Sequence, residues 1–129
     1  MKRRVLVVED NLASRELLSD WLEVEGFEVR TAADLKTSFE ALAKGLPNVV
    51  LLDVNLGHED GLDIVEWMRK EPEMGEIPVI AVTAHAKVTE QQRVLQAGCK
   101  ACLSKPINFK LLRDQLDHWV DATERASDA

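Results

Sequence analysis

The chain has 129 residues, 46% of them hydrophobic and 30% charged, with 16 Lys and Arg against 23 Asp and Glu. That is the length of one domain, able to bury roughly two-thirds of its unfolded surface, with the composition of a globular chain and not a disordered one. The net charge of −7 argues against a protein built to neutralise nucleic-acid phosphates. Val5–Val8 and Val49–Leu52 are too short to span a bilayer, so no membrane insertion is expected. Lys2-Arg3-Arg4 resembles a signal n-region, but the apolar run after it ends at Glu9-Asp10. No secretory signal is expected, which places the chain in the cytoplasm with its two cysteines as reduced thiols.

In chain order, short β-branched runs alternate with stretches of helical period. Val5–Val8 is continuously apolar, as a strand covered on both faces would be. Asn11 caps a first helix carrying Leu18, Trp21 and Leu22, which Gly26 ends. Phe27, Val29 and Thr31 alternate with polar residues as a second, more exposed strand. Asp34 opens a second helix with Leu35, Phe39 and Leu42 on one face and Gly45 at its end. Val49–Leu52 is a third strand, and a third helix with Leu62, Ile64, Val65 and Met68 stops at Pro72. Val79–Val82 is a fourth strand, and Thr89 and Gln92 have the spacing of a capping box for a fourth helix ending at Gly98. Ala101–Leu103 is a short fifth strand, and Asn108 caps a last helix with Leu112, Leu116 and Trp119. Residues 1–121 read as one domain, and 122–129 as a short polar tail expected to fray. Strict alternation of this kind predicts an α/β fold, a doubly wound parallel sheet of five strands between five helices.

In such sheets ligands bind beyond the carboxyl ends of the strands. The first strand runs into Glu9-Asp10, the third into Asp53, the fourth into Thr83-Ala84 and the fifth into Ser104-Lys105-Pro106. Three carboxylates, a hydroxyl and an ammonium therefore converge on one edge. Close carboxylates favour a raised pKa or a bound cation, and an all-oxygen set suits Mg²⁺. A carboxylate can also attack phosphorus and form an acyl phosphate, with Lys105 and the metal neutralising the transferred group and Thr83 donating to it.

This constellation resembles the receiver domains of response regulators over nearly the whole chain, from Val5 to about Val120. The resemblance implies the flavodoxin-like (CheY-like) strand order 2-1-3-4-5. It implies Asp53 as phosphoacceptor, Thr83 as switch hydroxyl and Lys105 as the charge-neutralising lysine. It further implies a Mg²⁺ site made by Asp10 directly, Glu9 mainly through water, Asp53, and the backbone carbonyl of Asn55. The segments 79–83 and 98–107 are most similar to single-domain DivK-type regulators and to hybrid-kinase receivers. His85 falls where receivers tune the lifetime of the phosphoryl group, a role weighed evenly against that of a solvated loop residue. His58 and His118 read as surface residues, and Trp21, Trp67 and Trp119 as packing residues on helices.

Two departures stand out. Receivers usually carry Tyr or Phe three residues before the lysine, where this chain has Cys102, so the aromatic rotamer switch is missing. Gly57-His58 replaces a bulky apolar residue and a proline, which predicts a more mobile loop after Asp53. Cys99-Lys100-Ala101-Cys102 has redox spacing, but it enters a strand and does not open a helix. Core or half-buried thiols facing different ways are expected instead.

The function implied is a phosphorylation-activated switch of a two-component system or phosphorelay. It would accept a phosphoryl group from a histidine kinase or phosphotransfer protein and turn over no other substrate. Output would be altered affinity for a protein target at the face of the fourth helix, fifth strand and fifth helix, including Gln91, Arg93, Lys110 and Arg113. With Met1 close to the first strand and the chain ending soon after the fifth helix, a free-standing regulator without direct nucleic-acid contact is expected. Two alternatives remain at this point. One is a phosphorylation-independent pseudo-receiver, which Cys102 keeps open. The other is a haloacid-dehalogenase-like phosphohydrolase, whose second Asp would fall where this chain has Asn55.

Overall fold

Apolar runs with no polar face become the inner strands of a parallel sheet. The computed structural model describes residues 3–85 and 87–128. Its elements are β1 (Arg3–Val8), α1 (Leu12–Val24), β2 (Phe27–Ala32), α2 (Leu35–Lys44), β3 (Val49–Asp53), a small hairpin of β4 (Asn55–Leu56) and β5 (Glu59–Asp60), α3 (Leu62–Lys70), β6 (Val79–Thr83), α4 (Val88–Ala97), β7 (Ala101–Ser104) and α5 (Phe109–Asp128). The main sheet runs β2-β1-β3-β6-β7 with every pair parallel. Setting the hairpin aside, this is the expected 2-1-3-4-5 order.

Strand alternation builds the two layers. Val5, Val7, Val49, Leu51, Ile80, Val82 and Leu103 pack with Leu18 and Leu22 of α1 and Leu112, Leu116 and Val120 of α5. Their neighbours Leu6, Val8, Val50, Leu52, Val79 and Ala81 pack with Leu42 of α2, Ile64, Val65 and Met68 of α3, and Val94 of α4. The strand flanks decide which runs sit innermost: β3 and β6 are buried at every position, whereas β2, at the edge, is buried only at Phe27 and Ala32. The tryptophans serve packing, Trp21 against Phe109 and Trp67 against Phe39. Among the described residues no helix is long and apolar enough to cross a membrane.

Most helix starts are those the sequence indicates. Asn11 accepts from the Ser14 amide at 2.9 Å and Asn108 from the Leu111 amide at 3.1 Å. Asp34 and Thr37 form a reciprocal box, with the Thr37 amide on Asp34 at 2.8 Å and the Asp34 amide on Thr37 at 3.2 Å. The Thr89-Gln92 box does not form. Helix α4 begins at Val88 with Lys87 as its N-cap and no side-chain cap, so Thr89 already lies inside the first turn, where its hydroxyl cannot cap. At the other end of the chain the backbone of 122–128 continues α5, with no Gly or Pro there to stop it. Lys2 of the basic start and Ala129 of the tail lie outside the described residues.

Candidate functional site

Alternation also places the charges. Glu9 continues the odd positions of β1 and Asp53 those of β3, so both follow the strand face packed on α1 and α5. They end up buried, at 3% and 4% exposure, while Asp10, one residue further, is exposed. The carboxylates of Glu9, Asp10 and Asp53 each bring an oxygen within 4.8 Å of the others. Lys105, on the same parity beyond β7, donates Nζ to Asp53 Oδ2 at 2.8 Å and lies 3.6 Å from Glu9 Oε2. Asp53 Oδ1 accepts from the Asn55 amide at 2.9 Å. The predicted residues of the acidic set and its lysine are thus together.

The electrostatics follow from burial. Loss of water, then hydrogen bonding and repulsion from Asp53, push Glu9 up to about 7 against the pull of Lys105. Burial works against the Lys105 ammonium, but the hydrogen bond and charge of Asp53 outweigh it and hold its pKa above the ordinary lysine value. Glu9 Oε1 is buried and has no hydrogen-bond partner. An orphaned, buried carboxylate oxygen beside two further carboxylates is the donor set a hard divalent cation fits.

Thr83 is fully buried and has the strand parity of Ala81, on the α3 and α4 side. Its hydroxyl accepts from the His85 amide at 3.1 Å, which leaves the hydroxyl proton to donate. His85 is exposed, as are His58 and His118. A cavity of about 260 Å³ lies next to the carboxylates, lined by Glu9, Asp53 and Lys105 at its polar side and by Leu17, Leu18, Ile107 and Phe109 at its apolar side.

The expectation that the two thiols face different ways is overturned. The thiols share one side of the sheet: Cys99 belongs to the cluster under α2, α3 and α4, and Cys102 packs against that same cluster. Cys99 lies before β7, just after the left-handed Gly98 (φ 118°), so strand alternation cannot be counted back to it. Burial pushes Cys99 up to about 12 and raises Cys102 as well, so both are neutral thiols. The loop after Asp53 is a hydrogen-bonded hairpin pairing Asn55 with Asp60 and Leu56 with Glu59. Gly57, at φ 60°, makes its turn, in a conformation that a bulky side chain would resist.

Other residues support the site without having been singled out in the sequence. Arg15 donates to the Glu9 carbonyl at 2.9 Å and so ties the acidic loop to α1. Gly61 packs against the Asp53 carbonyl oxygen, which a Cβ would strike, and its amide donates to Val54 at 2.8 Å. A glycine before a helical run was the visible signal, but glycine alone does not tell a cap from a close approach. Of the four cationic and polar residues expected on the partner face, Arg93 pairs with Asp60 and Glu90, and Arg113 with Glu25 at 3.4 Å.

Residues 5–117 match the response regulator receiver domain. The chain is 37% identical over 109 residues to the polar-differentiation response regulator DivK of Brucella ovis, covering 84% of this chain and 88% of that one. Its fold superposes with a TM-score of 0.88 on a CheY-like receiver domain protein of Methanospirillum hungatei, at 27% identity and coverage of 98% and 99%. The chemotaxis response regulator CheY4 of Vibrio cholerae gives a TM-score of 0.85 at 27% identity, covering 92% of this chain and 99% of that one. The chain belongs to the receiver domains of response regulators, the signalling modules of two-component systems.

Proposed function

We propose that this receiver is a phosphorylation-activated switch in which Asp53 takes the phosphoryl group of a phosphohistidine on a histidine kinase or phosphotransfer protein. The observation that carries the reading is the pairing of buried Asp53 with half-buried Lys105 at 2.8 Å beside the orphaned Glu9. A carboxylate oxygen of Asp53 forms the new O–P bond as the N–P bond to imidazole breaks, its electron pair remaining on the imidazole nitrogen. Lys105 moves from the carboxylate to the charge that gathers on the phosphoryl oxygens. Thr83 has a hydroxyl proton to donate to one of them. Glu9, Asp10, Asp53 and the backbone carbonyl of Asn55 would hold Mg²⁺, which supplies neutralisation of the phosphoryl charge.

The cavity beside Asp53 leaves an apolar approach for the phosphodonor protein, along α1 and the segment between β7 and α5. The new negative charge then biases the domain between two conformations, read by a protein target at α4, β7 and α5. Catalysis is confined to the chain's own phosphorylation and dephosphorylation, with His85 setting the lifetime of the adduct, and the domain would meet its phosphodonor in the cytoplasm. The test is intact mass after incubation with Mg²⁺ and acetyl phosphate. One added phosphoryl group, absent in Asp53→Ala and without metal, is the expected result. No adduct and no phosphate release in the wild type would refute the reading. An unchanged decay rate in His85→Ala would remove that residue's role.

A further inference from the structure

The hairpin that follows Asp53 is fastened to three helices. Glu59 accepts from the Leu35 amide at the start of α2, at 3.1 Å. Asp60 Oδ1 accepts from the Leu62 amide at the start of α3, at 3.0 Å. The other oxygen of Asp60 takes Arg93 Nη1 of α4 at 2.9 Å. Arg93 also holds Glu90, one turn earlier, through Nε at 3.2 Å and Nη2 at 3.0 Å.

Helix α4 gives the core few buried side chains. Val94 is its one buried residue, while Val88 and Leu95 are exposed. Its last carbonyls are capped by Arg69, 2.9 Å from the Ala97 oxygen. At its start, the segment from Thr83 enters the helix with the Thr83 hydroxyl held by the His85 amide. Asp60 is in turn tied to the Asp53 strand end by the next residue, since Gly61 sits against the Asp53 carbonyl and donates to Val54. The middle of α4 is thereby joined through two charged side chains to the strand end that carries Asp53.

We propose that the Asp60–Arg93 ion pair is a restraining link between the Asp53 strand end and α4 in this chain, holding the helix in its resting position. The proposal rests on the phosphoacceptor reading above. Many receivers place an aromatic ring at the position of Cys102, whereas here a thiol stands there, raised first by burial and then by the charge of Glu90. When Asp53 gains charge and Thr83 turns toward it, the start of α4 is drawn one way while Asp60 keeps its middle in place. The pair therefore opposes the switched form, and by linkage it must also weaken binding of a phosphoryl group or its mimic.

The test is a double-mutant cycle on the full chain with Asp60→Asn, Arg93→Gln and both. Asn keeps an oxygen to cap α3 while removing the charge. Amide hydrogen exchange over 88–97 is expected to quicken about two- to fivefold in each single variant, the range of an exposed ion pair, and no further in the double. Unchanged exchange in both singles, or effects that multiply in the double, would overturn the link. The midpoint for beryllofluoride with Mg²⁺ should fall by the same factor in each variant. A midpoint that stays or rises would overturn the assignment of the pair to the resting form. If the wild type takes up neither acetyl phosphate's phosphoryl group nor beryllofluoride, the phosphoacceptor reading fails, and the exchange cycle alone decides for or against the link.

Discussion

Replacing Glu9 with Gln is expected to stabilise the metal-free domain while removing most of its response to a divalent cation. Glu9 is buried, with one oxygen unpartnered and Asp53 beside it. Holding its carboxyl at about 7 in place of 4.5 corresponds to about 3 kcal/mol against the ionised form. The sign follows from proton binding: the folded state holds this proton more tightly than the unfolded chain. Below about pH 4.5 the group contributes no penalty, between 4.5 and 7 stability falls as pH rises, and above 7 the penalty is complete. Glutamine keeps the shape and has no charge to desolvate. Urea unfolding followed by tryptophan emission, in chelator at about pH 8, should therefore place the variant's midpoint roughly 1 M or more above that of the wild type, given slopes of about 1–3 kcal/mol/M. At about pH 4 the two should nearly coincide. Excess Mg²⁺ should raise the wild type by mass action and leave the variant almost where it was. A variant less stable than the wild type in chelator at the higher pH would refute the electrostatic argument.

The two kinds of glycine should separate in the same assay. Gly61→Ala drives a methyl into the backbone of Asp53 and Val54 and should cost about 1–3 kcal/mol together with slower adduct formation, whereas Gly26→Ala meets nothing within 4 Å but carries φ 96°, so about 1–2 kcal/mol should be lost with adduct formation unchanged. Cys99, held near 12 against 9.0 for the exposed thiol, stays protonated in the fold while the unfolded chain ionises. Stability should thus fall as pH rises above about 9, by up to about 1.4 kcal/mol per pH unit, and an equally steep alkaline loss in Cys99→Ala would refute this. Arg69→Ala removes the cap on the Ala97 carbonyl and should cost about 1 kcal/mol, with faster amide exchange confined to the last turn of α4.

Much of the fold was legible because the strands are short apolar runs whose ends are marked by change of chemistry. Val8 gives way to Glu9, Leu52 to Asp53 and Val82 to Thr83, and the carboxyl edge of the sheet is where those changes collect. Asn11, Asp34 and Asn108 were readable as caps because each acts on an amide three residues away. What was not legible depends on pairing across the fold. Asp60 and Arg93 are 33 positions apart, and nothing local in either segment announces the partner. The hairpin of Asn55–Asp60 was hidden because two-residue strands carry no period, and its anchors at Leu35 and Arg93 are long-range. The common side of Cys99 and Cys102 was missed for a different reason: β7 starts only at Ala101, so alternation was counted through residues that are not strand.

The register of the site against the two cores explains how one event on Asp53 can be felt on both faces. Glu9 and Asp53 extend the rows Val5–Val7 and Val49–Leu51, and Lys105 the row ending at Leu103, all in the layer under α1 and α5. Thr83 extends the row Val79–Ala81 in the layer under α2, α3 and α4. A phosphoryl group that ties Lys105 and Thr83 to one acceptor would therefore pull on both layers from the same sheet edge. The α1–α5 layer packs from Leu18 to Val120 and opens beside Glu9, Asp53 and Lys105 into the cavity of about 260 Å³. On the other side α4 is seated by Val94 and by charged contacts from Arg69 and Asp60, which can re-form in a new position at small energetic expense. Of the contacts on the two sides, the charged ones of α4 are those that a phosphoryl group tying Thr83 inward would most readily rearrange.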